Sequence, residues 1–497
     1  MGACLKLTCK PINAIHQDME RKLLLLISPP YSEVYKRVNT GTFGVCQPPL
    51  GLAYIASYVQ SRGHAVKLFD AGTSIDPAGE IEKLIRDFKP DFVGITATTP
   101  QILNAWSIAR QVKNINPAIK TIIGGFHVSA LPQESMDVPS IDIVACGEGE
   151  LTVAEILEGR NPSDIKGIWY RQDGAIRENH PRPLIEDLDT LPFPLWEQLP
   201  VQSYYYYPEK TVGVISGRGC PYDCSFCASA VIHKRRYRMR SPGNFVDEVE
   251  MLYRKYGMRY LFFVDETFTI NLKRTEEICR LIIDRKIPIR WTCDTRADRL
   301  TKDILTVMKR AGCRSVRMGV ESADEAVLKA TGKGTTPQQV QQAIGWAQKL
   351  GLSTTTYYLL GLPYETPQSI EKTARFSRKI GADLSHFTML VPLPGTRIWD
   401  IAQEGKLLRC SARSWSEYTR FDSAIVESDT LSREQLRTYH RKLVRRAYMN
   451  PRYVIRRLFA VRSMKDISSL LSGARALVNM VLPEAKSMTE SQKTTEN

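Results

Sequence analysis

The sequence predicts an α/β protein: a doubly wound parallel sheet, then a partial (β/α)6 barrel, and behind them a small helical, basic region. Three observations carry that prediction. Short apolar runs alternate with helix-period segments from residue 22 to about 160. A second alternation, with six strand-like runs, spans about 211 to 400. A stretch rich in Pro and aromatics, without any period, separates the two. At 497 residues, 43% apolar and 24% charged, the chain exceeds one ordinary domain and can bury substantial cores.

In the first series "KLLLLISPP" is a strand ending on two prolines, "PLGLAYIASYVQSRG" a helix stopped by Gly63, and "HAVKLFDAG" a strand. "AGEIEKLIRDFKP", "DFVGITATT", "ILNAWSIARQVKNINP" and "KTIIGGFHV" continue it, and "DIVACGEGE" closes it. The barrel strands are "TVGVISGRG", "YLFFVDETF", "IRWTCDT", "SVRMGVES", "TTTYYLLGLP" and "SHFTMLVPLPG". The boundaries that follow are 22–165 for the first unit, 166–210 for an ordered linker and 211–405 for the barrel. A helical basic region covers 406–482 and a polar, disordered tail 483–497. Tyr204 to Tyr207 in the linker suit packing between domains better than covering a flat ligand.

In a doubly wound sheet ligands sit beyond the carboxyl ends of the strands. Thr96, Thr98 and Thr99, then Gly124 and Gly125, then Gly147 and Glu148 fall at successive ends. Singly they are ordinary loop residues. Together they favour a ligand approached closely by backbone.

"GRGCPYDCSFCAS" places Cys220, Cys224 and Cys227 in C-x3-C-x2-C spacing directly after a strand. Structural zinc wants four ligands, and no second Cys or His pair lies near in the sequence. Three thiolates can hold three irons of a [4Fe–4S] cluster and leave the fourth iron open for another ligand. Cys279, Cys293 and Cys313 read as core residues. Eleven scattered cysteines make a poor disulfide framework and fit a reducing cytoplasm.

The loop, with Phe226 before its last cysteine, resembles that of the radical S-adenosylmethionine (SAM) enzymes. The likeness runs on through the barrel. "FVDETF" resembles the motif holding the methionine amino group, which points to Asp265 and Glu266. "RMGVES" points to Glu321 and Ser322 for the ribose, "LLGLP" to Gly361, and "VPLPGT" to the adenine side. The resemblance implies SAM chelated to the open iron, an electron donor such as ferredoxin or flavodoxin, and a 5′-deoxyadenosyl radical. The protein's part is to position these groups and exclude water.

"QPPLGLAYIASYVQSRGHAV", "GGFHVSALPQE" and "DIVACGEGE" resemble the cobalamin-binding domain that precedes many such barrels. The usual lower ligand comes from a D-x-H-x-x-G loop, whereas "SPPYSEVY" has no His, and His64 and His127 stand outside that motif. Base-off cobalamin is therefore expected. The pairing of domains implies methyl transfer to an unactivated carbon. Oxidative cyclisation or hydroxylation uses the same domains and stays open, as does a non-catalytic role.

Of the net charge of +15, residues 433–465 carry +10, from 11 Lys or Arg against the single acid Glu434. A charge this local gives no support to a nucleic-acid partner. With "NPRYVIRRLFAVRSMKDISSLLSGARALVNMVL" it makes a basic, loosely amphipathic segment suited either to an anionic membrane surface or to packing on the barrel. The expected location is cytoplasmic, peripheral at the inner membrane surface. "MGACLKLTCK" has Lys6 where a myristoylation signal wants Ser or Thr, and no apolar run is long enough to span a bilayer. The carboxyl-terminal part resembles the subgroup of the anaerobic magnesium-protoporphyrin monomethyl ester cyclase, which includes bacteriochlorophyllide side-chain methyltransferases and hopanoid-pathway enzymes. That likeness implies a large apolar small-molecule substrate, with a lean to a chlorophyllide-type tetrapyrrole.

Overall fold

The computed structural model describes residues 20–30, 47–206, 209–419 and 424–449, together with 467 and 471. The first sheet contains β1 (Leu23–Ser28), β2 (Ala65–Asp70), β3 (Phe92–Thr96), β4 (Lys120–Gly124) and β5 (Ile143–Ala145), followed by β6 (Ile168–Gln172) and β7 (Ala175–Glu178). Its order is β2-β1-β3-β4-β5-β6-β7, with the first five strands parallel. Chain direction across the sheet reverses between β1 and β3, the switch point where such sheets open a crevice. The run "LLLLIS" suits β1 because helices cover both faces, and Leu24 to Ile27 are all buried. The helix Pro77–Phe88 starts where Asp76 accepts from Gly79 N at 3.1 Å and Pro77 occupies the first turn.

β6 and β7 pair antiparallel at the sheet edge, so the first sheet continues to Glu178, past the expected boundary at 165. The turn between them is Asp173-Gly174, both at positive φ (51° and 75°), the geometry a two-residue hairpin needs. That dipeptide was the available signal. Within the remaining linker Tyr204 is fully buried and its hydroxyl donates to Asp70 Oδ2 at 2.9 Å, packing between the units as expected.

The second sheet opens with β8 (Tyr205–Tyr206) and β9 (Glu209–Val214). A short ribbon, β10 (Gly217–Arg218) with β11 (Arg238–Met239), brackets the cysteine loop. β12 (Tyr260–Phe263), β13 (Arg290–Thr295), β14 (Cys313–Glu321), β15 (Ser353–Leu360) and β16 (Leu384–Met389) complete it in the order β16-β15-β14-β13-β12-β9-β8. β9 and β12 to β16 are parallel sequential neighbours, the six expected strands of a partial barrel. Their helix-facing side chains form the core: Phe263 stacks on Trp291 at 4.5 Å and meets Phe245 edge-on at 5.0 Å. Cys279, Cys293 and Cys313 lie in this core, as expected.

Of the described residues between 411 and 432, expected to be helical, only the short 3-10 turn Trp415–Glu417 is. β17 (Arg409–Cys410) pairs antiparallel with β18 (Val426–Glu427), and between them Ser414, Ser416 and Glu417 bond to nearby backbone and to each other. Such local hydroxyl bonds compete with a helix. The helix Arg433–Tyr448 does form. It buries Leu436, His440, Leu443, Val444 and Tyr448 toward the barrel, with His440 Nε2 donating to the Phe387 carbonyl of β16 at 3.0 Å. The part of the basic run from 450 to 465 and the tail 483–497 fall outside the described residues. Among the described residues no helix is long and apolar enough to cross a membrane.

One apolar core joins the two units, running from Leu24, Leu50 and Trp196 to Val212, Phe245 and Trp291. Across that junction the buried Arg240 guanidinium pairs with Glu248, whose other oxygen accepts from Trp196 Nε1 at 2.8 Å. Arg240 also donates to the Tyr54 hydroxyl at 3.2 Å. Removing one member leaves a buried charge alone. Arg240→Leu should therefore cost about 3–5 kcal/mol in urea unfolding, and Arg240→Leu with Glu248→Leu should recover part of that loss.

Candidate active site

The cysteine loop hangs from the carboxyl end of the barrel sheet. Its glycine lead-in is enforced. Gly219 sits at φ +85°, and a Cβ there would collide with the Arg236 carbonyl. Beyond it Ser225 N donates to the Thr331 carbonyl at 2.9 Å, and the Ser225 carbonyl accepts from Ile398 N at 3.0 Å. Phe226 packs half-buried against the main core. Cys220 and Cys224 are half-buried and Cys227 is exposed. Loss of hydration among the surrounding protein atoms raises all three thiols above the ordinary cysteine range; Cys227, although its residue surface is exposed, goes to about 11, with the neighbouring Cys224 and Cys220 adding to the rise.

Three thiols in one short loop match the thiolate donors that iron–sulfur clusters use. Among the described residues no three His, Cys, Asp or Glu converge on one ion. Ligands to separate irons stand farther apart than ligands sharing one. Binding would displace the thiol protons, so cluster assembly should release acid. Two cations stand by: Lys333 and Arg296 both lower the Cys224 thiol against its burial. Arg296 lies 3.5 Å above the Tyr222 ring and donates to the Lys333 carbonyl at 2.8 Å.

Two expected contacts change place. Asp265 is fully buried, with Oδ1 accepting from Ser216 N at 2.7 Å and Oδ2 from Ser216 Oγ at 2.6 Å. It holds the base of the loop rather than facing the pocket, because Arg274 and Ser216 surround it. Ser322 is buried too, its hydroxyl shared with Thr373 at 3.2 Å and accepting from Asp324 N at 3.1 Å. Glu266 is exposed beside the cysteine loop, and Glu321 is buried against Lys333. Glu266 accepts from Gly219 N at 3.1 Å and Ser229 Oγ at 2.9 Å, and loss of hydration raises its carboxyl. Glu321, at φ +64°, follows a bulge in β14 and accepts from Lys333 Nζ at 2.8 Å. A non-glycine held there stores strain of the kind functional sites carry. Gly361 (φ +90°) donates its N–H to Glu365 Oε2 and would meet Val426 if it had a side chain.

The sequence reading missed Tyr237, Arg296 and Lys333. The Tyr237 hydroxyl is buried without a hydrogen-bond partner among the described residues, close enough to Asp265, Glu266 and Cys220 for each to raise it further. An orphaned donor here fits a polar ligand. Their motifs, "KRRYRM", "TRAD" and "TGKG", carry no spacing signal.

The carboxyl ends of the first sheet face this pocket. The short helix Phe126–Ala130 after β4 meets the helix Ser229–His233 after the cysteine loop, with Phe126 and His233 rings edge-on at 6.3 Å. Glu148, expected at a ligand, is instead a clasp. It accepts from Arg218 Nη1 at 2.8 Å, Arg238 Nη1 at 2.7 Å and Ile185 N at 2.8 Å. Arg218 also donates to Glu150 at 2.6 Å. Burial opposes the charge on Glu148, but the two arginines outweigh it and lower its carboxyl.

Thr98 and Thr99 are occupied as well: Thr98 Oγ1 donates to Gln101 Oε1 at 2.8 Å, and Thr99 Oγ1 pairs with His127 Nδ1 at 3.2 Å. Gly125 (φ +109°) is glycine because a Cβ would lie 2.5 Å from the Ala97 carbonyl, with Thr96 Oγ1 close beside it. Gly124 is less crowded. Gly147 (φ +84°) would have no atom of the described residues within 4 Å of a Cβ. The other His127 nitrogen bonds Glu134 at 3.1 Å, and Trp415 from the carboxyl-terminal region meets the ring edge-on at 4.8 Å. His64 lies at the opposite, amino-terminal edge of the sheet, where its Nδ1 accepts from Lys22 N. Residues 31–46, which include most of the loop after β1, are outside the described residues.

Residues 214–377 match the family model of the radical SAM superfamily, and residues 36–157 match that of the B12 binding domain. An uncharacterised methyltransferase of Pyrococcus horikoshii is 37% identical over 88% of this chain and 94% of its own length. The anaerobic magnesium-protoporphyrin IX monomethyl ester cyclase of Rubrivivax gelatinosus is 32% identical over 82% of this chain and 75% of its own. Among solved structures the fold is similar to TsrM, a radical SAM methyltransferase from Kitasatospora setae with cobalamin and a [4Fe–4S] cluster bound. The TM-score is 0.71 at 18% identity, covering 93% of this chain and 99% of that one.

Replacing Cys220, Cys224 and Cys227 together by Ala should abolish iron–sulfur absorbance after anaerobic reconstitution and leave the protein folded. In cluster-free protein Cys227 should be alkylated slowly at neutral pH, the rate still climbing above pH 9, because its thiol is pushed up to about 11. A rate already level near pH 9 would contradict the burial argument.

Proposed function

The chain belongs to the radical SAM superfamily and carries its B12-binding domain, and from that premise we propose methylation of an unactivated carbon on a large apolar substrate. Its cofactors are a [4Fe–4S] cluster, SAM and cobalamin. When bound, the cluster supplies the electron that cleaves SAM, and cobalamin carries the methyl group. Cys220, Cys224 and Cys227 would hold the cluster and leave one iron for the SAM amino acid moiety.

The chain's own residues divide the remaining work. Glu266 is placed to accept from the methionine ammonium. Lys333, whose charge Glu321 sustains against burial, would face the carboxylate with Arg296. Asp265 and Ser322 position their neighbours. Gly147 and Thr96 offer the first unit's surface to the corrin. The observation that carries the reading is the facing of the two carboxyl ends, clasped by Glu148, Arg218 and Arg238. Residues that would hold the methyl carrier and those that would hold the cluster then lie on either side of one junction.

Within large apolar substrates a chlorophyllide-type tetrapyrrole is favoured by the likeness to the cyclase, which acts on a magnesium porphyrin ester. The same likeness supports a second reading, oxidative cyclisation. Anaerobic incubation with reductant and candidate tetrapyrroles or hopanoids separates them: a product heavier by one methylene unit is methylation, and gain of oxygen or loss of hydrogen is the alternative.

Glu266→Gln should keep the cluster spectrum and weaken SAM binding about ten- to hundredfold, the range for a charge-assisted hydrogen bond. Unchanged affinity removes Glu266 from the site. For membrane contact, Arg445 and Arg446 are exposed on the packed helix. Charge reversal of both should lower low-salt binding to anionic vesicles, each charge near the surface contributing about 1 kcal/mol. Equal binding would leave this helix as barrel packing alone.

A further inference from the structure

A line of polar contacts runs from the loop after β5 to the cysteine-loop pocket, and its middle member is His233. Arg238 Nη2 donates to His233 Nδ1 at 3.1 Å, while Nη1 of the same guanidinium donates to Glu148 Oε2 at 2.7 Å. A guanidinium has no acceptor, so Nδ1 presents its lone pair and the ring proton sits on Nε2. Burial pushes the imidazole down to about 4, which keeps it neutral near pH 7. Nε2 then points its N–H toward Glu266 Oε1 at 3.6 Å, just outside hydrogen-bond reach. On its ring edge His233 meets Phe126 of the first unit.

Glu266 is otherwise held by Gly219 N and Ser229 Oγ, both belonging to the barrel. His233 thus adds a side-chain route from Glu266 to the first unit, beside the backbone route through Gly219 and Arg218. We propose that His233 is a positioning residue for Glu266, setting that carboxylate according to where Arg238 and Glu148 stand. The inference rests on Glu266 as the ammonium contact. When the loop carrying Gly147 and Glu148 settles on a bound corrinoid, the ion pair moves Arg238, and Arg238 turns the imidazole. Closing the gap to a hydrogen bond fixes Glu266 for the ammonium. Two arrangements follow, gap open and gap closed, and each ligand favours the second. By linkage, cobalamin tightens SAM binding and SAM tightens cobalamin binding by the same factor.

The test uses full-length, cluster-loaded enzyme and the aza analogue of SAM, with affinity measured with and without cobalamin. Wild type should bind the analogue about fivefold or more tightly when cobalamin is present, the low end of ordinary site coupling. His233→Phe keeps a ring beside Phe126 and removes the N–H. It should retain cluster absorbance and cobalamin content, lose the coupling, and bind the analogue as loosely as cobalamin-free wild type. Should the Phe variant fail to fold, His233→Met fills the same space and takes its place. His233→Gln can accept from Arg238 and donate to Glu266, so it should restore the coupling, which a packing role would not.

Wild type without coupling, or His233→Phe with full coupling, overturns the inference. If Glu266→Gln binds the analogue normally, the ammonium assignment fails and this inference fails with it. If Glu266→Gln weakens binding while His233→Phe behaves as wild type, only the role of His233 falls.

Discussion

The arrangement of this protein depends on the buried clasp of Arg218 and Arg238 with Glu148 and Glu150. Each of these side chains is at least 90% buried, so none keeps its hydration. Charges taken that far from water persist only when they are paired and hydrogen-bonded. Glu148 has two arginines and a backbone N–H, and Arg238 also reaches the Ile185 carbonyl at 2.6 Å, while its buried Nε has no partner among the described residues. The clasp is therefore directional in a way an apolar seam is not. It sets one loop of the first unit against the ribbon that brackets the cysteine loop.

The consequence is chemical. Arg218 stands two residues before Cys220, so anchoring Arg218 anchors the start of the cysteine loop. Asp265 fixes the next layer through Ser216, and Gly219 lets the backbone turn where no side chain fits. The loop is held from below and beside by Ser216 and Glu266, and across the domain junction by Arg218. A preorganised loop leaves less entropy to lose on binding.

The barrel sheet divides its labour by face. On the helix side Val316, Met318 and Val320 of β14 are buried among apolar neighbours. On the concave side the same strand carries Arg317, Gly319 and Glu321. Arg317 forms a paired contact with Asp294 at 2.8 and 2.7 Å and lies 3.9 Å over Phe262. Gly319 is empty where a side chain would strike the Glu321–Lys333 pair. Period-two alternation thus becomes a division between stability and chemistry within one strand.

Much of this was legible in the sequence alone. Apolar runs at strand length, separated by capped helices, determined both sheets, because burying those runs on two faces leaves few other arrangements. The C-x3-C-x2-C spacing determined the donor set, since three thiols in one short loop are neighbours in any fold. The hairpin β6–β7 was also written locally, in Asp173-Gly174. What only the tertiary structure decided is which polar atoms remain for ligands. Asp265 and Glu266 are adjacent in sequence, yet one lies under the loop and the other is exposed beside it. Glu148, Thr98 and Thr99 sit at the expected strand ends, yet Arg238, Gln101 and His127, far apart in sequence or on another turn, take their hydrogen-bonding capacity. A hydrogen bond is settled by distance and direction between atoms. Local residue pattern fixes neither until the chain has brought its distant parts together.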